Sequence, residues 1–430
     1  RQIYYKTKGG FMYFKDLELY QSKSNKNLIF SCKDLSFYFL NDEYTDELNR
    51  FTDLNHSNSS VIEKLNSIES KDKEIQIDSL KLIIANSCNM NCRYCYASGG
   101  NYGRENDLMS KDIATSVIEF VKGNNIKNIC FFGGEPLLGF DIIKYICDSL
   151  KDSVSYLIQT NGTILNEEII KTFKKYNFDV TVSIDGYKKI NDTNRVFLNG
   201  NGSYDIISEN IDKMLERGIN ISVLEATVTD NTKDIDSFSN IEKFLKNRFN
   251  VSQIQIGKDV RFPEIYDDRG ENIKSIENIY KELKENKIKD LGVYKDPIDH
   301  IISQKYESYF CGAGSEQITI DSNGDIYICP MFIDKNNSNK TKFNIKRDNV
   351  INLKEYIKKY KKSDIKKCEK CIAKFNCSMC IAADKDLTED DCRERKKNTE
   401  KSIEYLMDLI LNDQYNNFVK TYSKLTGRFI

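Results

Sequence analysis

The sequence of 430 residues has no tryptophan, only two histidines, and no run that approaches the roughly 18 apolar residues of a membrane span. Two histidines in polar surroundings, His56 and His300, exclude a histidine-rich metal site and a histidine-based catalytic triad. Without a long apolar run or a signal-peptide core at the start, we expect a cytoplasmic protein that has no membrane partner. The 64 basic residues nearly cancel the 65 acidic ones, so no nucleic-acid partner is expected.

Cysteine, by contrast, is abundant, with thirteen residues. In a chain without an export signal, so many cysteines favour metal or redox chemistry over a disulfide framework. Ten of them fall in two groups, at residues 88–95 and 311–392. Cys32, Cys130 and Cys147 stand alone in apolar or helical surroundings, and we interpret them as buried, unreactive thiols.

Short apolar segments alternate with amphipathic segments from residue 80 to residue 260, which predicts six strand-helix repeats. The predicted strands are 80–85, 128–132, 155–159, 179–184, 220–227 and 252–257. The predicted helices are 111–122, 140–150, 166–176, 203–217 and 234–246. This alternation predicts an α/β fold with a parallel sheet, and a partial (βα)6 barrel fits best, with functional groups at the carboxyl ends of the strands.

We expect four regions along the chain. Residues 1–78 form a small α+β module, with strands at 3–5, 11–14 and 28–30 and helices at 46–54 and 61–68. The barrel occupies residues 79–262, and a charged, helical bridging region follows at 263–310. Residues 311–430 form a cysteine-dense domain held together by metal and end in a helix at 398–425. The lysine-rich stretch 354–367 is interpreted as a solvated helix face rather than as a site for acidic partners.

Cys88, Cys92 and Cys95 form a C-x-x-x-C-x-x-C motif directly after the first predicted strand. Three thiolates this close together can hold three corners of a four-iron cluster and leave one iron open to a small molecule. Zinc is the alternative, although zinc sites usually show two C-x-x-C pairs and no fourth ligand lies nearby. The motif resembles the signature of the radical S-adenosylmethionine (radical SAM) superfamily.

Three further motifs follow the next three strands in the order found in that family. The Gly-Gly-Glu-Pro motif at 133–136 is similar to the one that contacts the amino group of S-adenosylmethionine. Gln-Thr-Asn-Gly at 159–162 and Ser-Ile-Asp-Gly at 183–186 end the third and fourth strands. The resemblance, which covers residues 80–260, implies these cofactor contacts: Tyr94, Gly133, Gly134, Glu135, Pro136, Thr160, Asn161, Ser183, Asp185 and Arg195.

The resemblance implies a role for several of these residues, and for Arg195 and Tyr94 another interpretation is open. The resemblance implies that Ser183 and Asp185 approach the carboxylate or ribose of the cofactor. Arg195 is a carboxylate partner or, equally, part of a surface ion pair. Tyr94 packs against adenine in the family, but a tyrosine at this position also suits a core.

The resemblance implies reductive cleavage of S-adenosylmethionine, whose amino and carboxylate groups chelate the open iron. The products are methionine and a 5'-deoxyadenosyl radical that abstracts hydrogen from an unactivated C–H bond. The protein positions the target carbon and excludes water and oxygen, while the difficult chemistry belongs to the cofactor.

The second cysteine group resembles the SPASM domain, a C-terminal extension with two auxiliary four-iron clusters in peptide-modifying radical enzymes. That resemblance implies three 4Fe–4S clusters in all, while a zinc ribbon is the alternative because C-x-x-C pairs also suit zinc. The implied ligands of the outer cluster are Cys368, Cys371, Cys377 and Cys392. Those of the inner cluster are Cys311, Cys329 and Cys380, which leave one iron open.

Two positions depart from the anaerobic sulfatase maturases, which are similar in the same regions. Where those enzymes have an extra cysteine and an aspartate base, this chain has Lys305 and Pro330. These departures argue against sulfatase maturation. The final C-x-x-C, Cys377 to Cys380, also departs from the family, in which three intervening residues are commoner than two. This departure concerns the assignment of Cys380 as a cluster ligand.

An open inner iron suits a thioether synthase of the sactipeptide and ranthipeptide kind, because it can bind a substrate cysteine thiolate beside a carbon radical. We therefore expect a precursor peptide with a leader, bound by residues 1–78 as an added strand, and a low-potential electron donor such as flavodoxin or ferredoxin. The alternatives are C–C or C–O cross-linking or other oxidation of a peptide, an electron-transfer iron-sulfur protein without turnover, and a zinc-dependent binding module.

Overall fold

The structure is a computed structural model of the chain. It describes residues 12–14, 19–22, 24–51, 67–69, 75–251, 253–259, 295–333, 343–347, 357–358, 360–378, 380, 382 and 389–426. Backbone packing divides the chain into two compact units. The first contains the described residues of Arg1–Glu74, Asn272–Cys311 and Lys358–Ile430, and the second those of Ile75–Glu271 and Gly312–Ile357.

The elements are numbered in chain order. The strands are β1 (Met12–Phe14), β2 (Leu19–Gln21), β3 (Leu28–Ser31), β4 (Ser36–Phe39), β5 (Ser79–Ala85), β6 (Asn128–Gly133), β7 (Ser155–Thr160), β8 (Asp179–Ser183), β9 (Asn220–Val228), β10 (Gln253–Lys258), β11 (Gln317–Ile320) and β12 (Ile326–Tyr327). The α-helices are α1 (Asp42–Phe51), α2 (Lys111–Gly123), α3 (Phe140–Leu150), α4 (Glu167–Lys175), α5 (Lys188–Asn194), α6 (Tyr204–Glu216), α7 (Phe238–Phe249), α8 (Lys295–Ile302), α9 (Glu389–Leu411) and α10 (Tyr415–Thr426). Of the helices in the described part of the chain, none combines the length and apolar character that a membrane crossing needs.

Strands β5 to β10 form the parallel part of the sheet in the second unit, in the order β10-β9-β8-β7-β6-β5. Each neighbouring pair is parallel, and at least one helix connects each strand to the next. Parallel strands connected in this way bring their carboxyl ends to one edge. The predicted α/β fold with a partial (βα)6 barrel is confirmed.

A hairpin that the sequence did not predict extends this sheet beyond β5. Strand β11 runs parallel to β5, with Gln317 opposite Ser79, and β12 pairs antiparallel with β11. In the hairpin turn, Ser322 Oγ accepts a hydrogen bond from Asn86 Nδ2 at 2.7 Å and donates one to Asp107 Oδ1 at 2.8 Å. The hairpin therefore fixes the chain on either side of the first cysteine motif.

The two faces of the barrel sheet differ in character, as alternation along each strand requires. Outward-facing Phe131, Tyr156 and Phe178 are buried and stack on one another, with ring centroids 5.5–6.1 Å apart. The intervening residues on the same strands, such as Cys130 and Gln159, are only partly buried. The inner face of the sheet is thus less tightly packed than the outer face.

Helix ends follow local sequence signals. Ser110 and Asn166 accept hydrogen bonds from the backbone N–H groups of Ile113 and Ile169, and so cap α2 and α4. The helix predicted at 234–246 begins later, at Phe238, because Ser237 is its cap. It also continues to Phe249, and the left-handed Asn250 ends it.

The first unit has a four-stranded antiparallel sheet, in the order β1-β2-β3-β4. Strands β2 and β3 contribute to a core shared with α8, α9 and α10, which includes Tyr20, Phe30, Ile298, Leu406 and Phe418. The N-terminal strands therefore pack with the C-terminal helices.

Of the three isolated cysteines, Cys32 and Cys147 are buried, as predicted. The prediction is wrong for Cys130, which is only partly buried because its strand turns it toward the barrel interior. The C-terminal helix predicted at 398–425 is two helices, because Asp413 adopts a left-handed conformation, with φ of 56°, between them. The strand predicted at 3–5 and residues 61–66 of a predicted helix lie outside the described residues.

Candidate active site

A cavity of about 250 Å³, here called the barrel cavity, lies at the carboxyl ends of the parallel strands. Of the residues predicted as cofactor contacts, Glu135, Pro136 and Asp185 do not line it. The structure brings the others together in its wall with the first three cysteines: Cys88, Cys92, Tyr94, Cys95, Gly133, Gly134, Thr160, Asn161, Ser183 and Arg195.

The cysteine loop after β5 is held by hydrogen bonds to its thiols and its backbone. Cys88 Sγ accepts from the Met90 backbone N–H at 3.4 Å and from Asn161 Nδ2 at 3.6 Å. Burial raises the pKa of Cys88 to about 12, and burial also raises the pKa of Cys92. Binding of iron would displace these protons, since metals bind the thiolate form.

The two glycines after β6 allow close backbone packing. A Cβ atom on Gly134 would lie 2.1 Å from the carbonyl oxygen of Ser87 and 2.9 Å from Cα of Gly100. The resemblance implies that these glycines contact the cofactor, and both line the barrel cavity. The structure shows a second requirement, because Gly134 lets the end of β6 press against the cysteine loop next to Cys88.

Glu135 connects the ends of two strands instead of lining the cavity. Its side chain is fully buried. Oε1 accepts hydrogen bonds from the Leu137 backbone N–H at 3.0 Å and from Thr160 Oγ1 at 2.8 Å, and Oε2 accepts from the Asn161 backbone N–H at 2.8 Å. Burial raises the pKa of Glu135, and these three hydrogen bonds oppose the shift.

Replacing Glu135 by glutamine should therefore destabilise the fold. The new amide would present a donor to groups that already donate, so we expect the free energy of unfolding to fall by about 1–3 kcal/mol. Urea denaturation of the apoprotein measures this, with Glu119→Gln, at an exposed site on α2, as the matched control. Equal urea midpoints for the two variants would contradict the role of Glu135.

Tyr94, Asp185 and Arg195 form a polar group beside the cysteines, in which Asp185 and Arg195 are buried. Asp185 Oδ1 accepts hydrogen bonds from the Tyr94 hydroxyl at 3.0 Å and from the Thr227 backbone N–H at 3.1 Å. Arg195 Nη1 donates to the Tyr94 hydroxyl and lies 3.9 Å from Asp185 Oδ1. Burial raises the pKa of Asp185 to about 6, and the Arg195 guanidinium is the largest opposing influence.

Arg195 reaches this position because its segment runs along the cysteine loop. The Asn91 backbone N–H donates to the Val196 carbonyl at 2.8 Å, and the Arg93 N–H donates to the Asn194 carbonyl at 3.0 Å. Arg195 is 6% exposed, so the surface ion pair considered as an alternative is wrong. Its Nε atom is buried without a hydrogen-bond partner among the described residues.

Several residues of the barrel cavity escaped the sequence analysis. Glu225 on β9 accepts a hydrogen bond from Gln159 Nε2, and Lys258 and Asp259 follow on β10 and just beyond it. A carboxylate among the otherwise uncharged residues of β9 was the available signal, because alternation directs it to the barrel interior. Tyr96, 45% exposed, also lines the cavity.

Comparisons with known proteins agree with this geometry. Residues 82–245 match the family described as the Radical SAM superfamily. The chain is 31% identical over 264 residues to the uncharacterized protein MJ0907 of Methanocaldococcus jannaschii, a match that covers 59% of this chain and 86% of that protein. The chain belongs to the radical SAM superfamily.

Two other relatives have named activities. The radical SAM cyclopropyl synthase TigE of Paramaledivibacter caminithermalis is 28% identical over 62% of this chain, and the match spans 59% of TigE. The cysteine-type anaerobic sulfatase-maturating enzyme of Clostridium novyi is 26% identical over 59% of this chain, and the match spans 74% of that enzyme.

Solved structures are similar at the level of the fold. The AdoMet-bound structure of anSMEcpe has a TM-score of 0.59 at 18% identity and covers 81% of this chain and 99% of its own. Streptococcus suis SuiB bound to the precursor peptide SuiA has a TM-score of 0.50 at 14% identity and covers 85% of this chain and 95% of its own.

Membership in the radical SAM superfamily implies a 4Fe–4S cluster and S-adenosylmethionine, and the residues of the barrel cavity fit both. Three thiols line one wall, which is the donor set for three irons of a cluster. Arg195 Nε supplies a buried donor that has no partner in the described ranges and is suited to a carboxylate. No group of three or more His, Cys, Asp or Glu side chains in the described ranges converges on a single metal ion. A cluster differs from such a site because each of its thiolates binds a separate iron.

The outer cysteines of this radical SAM protein share a second cavity, here called the outer cysteine cavity. Its walls include Cys368, Cys371, Cys377 and Cys392, the four predicted ligands of the outer cluster. Burial raises the pKa of Cys368 to about 11 and also raises that of Cys371. The structure thus places these four thiols around one space within the first unit.

Lys362 forms part of the same wall, although the sequence suggested that the lysine-rich stretch is solvated. That interpretation is wrong for Lys362, which is 1% exposed. Burial lowers its pKa to about 8, and Cys377 is the strongest opposing influence. The ligand set of Cys311, Cys329 and Cys380 for an inner cluster stays a prediction.

Proposed function

We propose that this chain is a radical SAM peptide maturase that forms thioether cross-links, from cysteine sulfur to carbon, in a ribosomally made precursor peptide. The observation that carries the proposal is the barrel cavity, in which Cys88, Cys92 and Cys95 meet the buried Arg195 at the carboxyl ends of six parallel strands. The likeness of fold to SuiB, solved with its precursor peptide, supports a peptide substrate.

The residues of the barrel cavity have distinct roles in this proposal. Cys88, Cys92 and Cys95 hold the first cluster and leave one iron for S-adenosylmethionine, which supplies a hydrogen-abstracting group when it is bound. Arg195 binds the carboxylate of S-adenosylmethionine through its Nε donor, which has no partner among the described residues, and Asp185 orients Arg195 through Tyr94.

The remaining predicted contacts divide between binding and support. Ser183 and Thr160 line the barrel cavity and offer hydroxyl groups to the cofactor. Gly133, Gly134 and Glu135 fix the cysteine loop and the end of β7. Tyr96 stands at the exposed side of the barrel cavity, where it can contact the peptide.

The second cysteine group supplies the auxiliary clusters. Cys368, Cys371, Cys377 and Cys392 hold the outer cluster, and their shared cavity supports this assignment. Cys311, Cys329 and Cys380 hold the inner one, whose open iron takes the substrate thiolate. Lys305 and Pro330, at the positions where sulfatase maturases have a cysteine and an aspartate, support thioether formation over sulfatase maturation.

The reaction balances as the loss of two hydrogens for each link. One C–H and one S–H bond break and one C–S bond forms. The hydrogen atom would leave in 5'-deoxyadenosine, for which the C5'–S bond of S-adenosylmethionine breaks and methionine is released. The thiol proton would go to solvent, and the second electron to an auxiliary cluster. A low-potential donor such as flavodoxin or ferredoxin supplies the electron that starts each turnover.

The leader of the precursor binds to the N-terminal strands in this proposal. Strand β4 ends the four-stranded sheet among the described residues, and Phe39 on it is 63% exposed. An edge of this kind can accept an added strand. Deleting residues 1–78 would be a poor test, because Tyr20 and Phe30 belong to the core of the first unit.

Co-expression with a cysteine-rich peptide tests the proposal, and short reading frames beside this gene are the first place to look for one. We expect the peptide to lose about two mass units for each cysteine that is linked, because each thioether removes two hydrogens. The linked cysteines should resist alkylation, and a cysteine-to-serine peptide should show no loss. A mass loss that persists when all thiols are alkylated before the reaction would contradict thioether formation.

The second candidate is carbon–carbon bond formation in a peptide, which the match to TigE favours. It also removes two hydrogens for each new bond. Every peptide cysteine would then remain open to alkylation, and the cysteine-to-serine peptide would still lose mass.

A further inference from the structure

Lys362 is a buried charge within the outer cysteine cavity. Its side chain is 1% exposed, on a short 3-10 turn (Lys362–Asp364). The Nζ atom donates hydrogen bonds to the carbonyl oxygens of Glu307 at 2.7 Å and of Lys374 at 2.8 Å, and it lies 5.5 Å from the centre of the Phe310 ring. Each acceptor of these two hydrogen bonds is thus a neutral carbonyl.

The side-chain carboxylate of Glu307 is engaged elsewhere. Glu307, which gives its backbone carbonyl to Lys362, forms an ion pair with Lys305 through its side chain. A buried ammonium without an anionic partner is costly. The thiols of Cys368, Cys371 and Cys377 line the same cavity, so a bound cluster would supply the missing negative charge.

The outer cysteine cavity has four other cations among the described residues. Lys367 and Arg395 are exposed, so water and salt screen their charges, and Lys396 is partly exposed. Lys374 is buried like Lys362, and its Nζ atom also donates to a backbone carbonyl, that of Glu369. Lys362 combines burial, contact with Phe310 and a position among the cysteines.

We propose that Lys362 sets the reduction potential of the outer cluster by holding a buried positive charge beside it. The inference rests on the proposed assignment of that cluster to Cys368, Cys371, Cys377 and Cys392. Reduction adds negative charge to a cluster that is already anionic, and net charge and solvent exposure control cluster potentials. A fixed cation in a dry site stabilises the reduced form more than the oxidised form.

A higher reduction potential at the outer cluster favours electron transfer toward that cluster. A raised potential makes the outer cluster a favourable acceptor for the electron that C–S bond formation releases. Lys362 acts in this scheme only through the reduction potential of the outer cluster, and it contacts neither the substrate nor S-adenosylmethionine.

The test is a redox titration, followed by EPR, of the full-length, anaerobically reconstituted protein. For Lys362→Gln we expect the ratio of reduced to oxidised outer cluster at a fixed potential to fall about tenfold, which is about 59 mV for a one-electron couple. Lys362→Arg keeps the charge and should remain near wild type. Lys366→Gln, at an exposed site four residues away, is the matched control and should change little.

Iron content separates the two ways in which the idea can fail. An unchanged potential in Lys362→Gln with full iron overturns the role of Lys362 and leaves the cluster assignment intact. If the wild type and a double variant, Cys368→Ala with Cys371→Ala, contain the same amount of iron, the assignment of the outer cluster is wrong. If Lys362→Gln cannot hold the outer cluster, Lys362→Met provides a second neutral side chain of similar volume. Loss of the outer irons from both neutral variants, with retention in Lys362→Arg, would indicate a role in cluster loading and overturn the proposal.

Discussion

Replacing Cys88, Cys92 and Cys95 together by alanine is expected to remove about four iron atoms per chain and all cleavage of S-adenosylmethionine. The three thiols line the barrel cavity, and no other cysteine among the described residues does so. The barrel should still fold, because its core consists of apolar residues such as Ile83, Ile129 and Val180. Iron and sulfide analysis after anaerobic reconstitution measures the loss.

The matched control is Cys147→Ala, at a buried cysteine on α3 away from both cysteine groups. It should retain all of its iron. An equal iron content in the triple variant and the wild type would show that the first cysteine motif holds no cluster. Zinc without iron or sulfide in the wild type would instead favour a zinc-dependent binding module.

Replacing Arg195 by methionine is expected to weaken binding of S-adenosylmethionine about ten- to a hundredfold, since a hydrogen bond to a charged group contributes about 1.5–3 kcal/mol. The guanidinium lines the barrel cavity and keeps a buried Nε donor without a partner in the described part of the chain. Its removal also leaves the buried Asp185 without its cation. Anaerobic calorimetry on the iron-loaded protein measures the affinity.

Two further variants show whether the guanidinium itself is required. Arg195→Lys keeps the positive charge and loses the planar fork, so its affinity should lie between those of the wild type and Arg195→Met. Arg217→Met removes an exposed arginine that pairs with Glu167 and should not affect binding. Equal affinities for wild type and Arg195→Met would remove Arg195 from the cofactor site.

The barrel could be predicted from the sequence because short apolar strands alternate with amphipathic helices, and each of these patterns lies within one short segment of the chain. Observed bounds such as Ser79–Ala85 and Phe140–Leu150 lie within one residue of the prediction. The pairing of β11 with β5 could not be predicted, since it joins segments far apart in the chain and a strand of four residues has no strong pattern. The break at Asp413 depends on a single backbone conformation.

Sequence motifs identified most residues that line the barrel cavity, but they did not identify the hydrogen bonds that these residues and their neighbours make. The order of motifs after successive strands led to Cys88, Gly134 and Ser183 because strand ends converge in a parallel sheet. The partners of Glu135 are backbone N–H groups and a hydroxyl that only the fold brings together. Lys362 could not be recognised, because a buried lysine within a lysine-rich stretch has the same sequence signal as a solvated one.

The measurement that most directly tests the central claim is formation of 5'-deoxyadenosine by the anaerobically reconstituted wild-type chain, supplied with dithionite and S-adenosylmethionine. The account predicts that 5'-deoxyadenosine accumulates with the wild type and is absent with the variant that lacks Cys88, Cys92 and Cys95. Iron-loaded wild type that forms none would contradict it and would favour an electron-transfer protein without turnover.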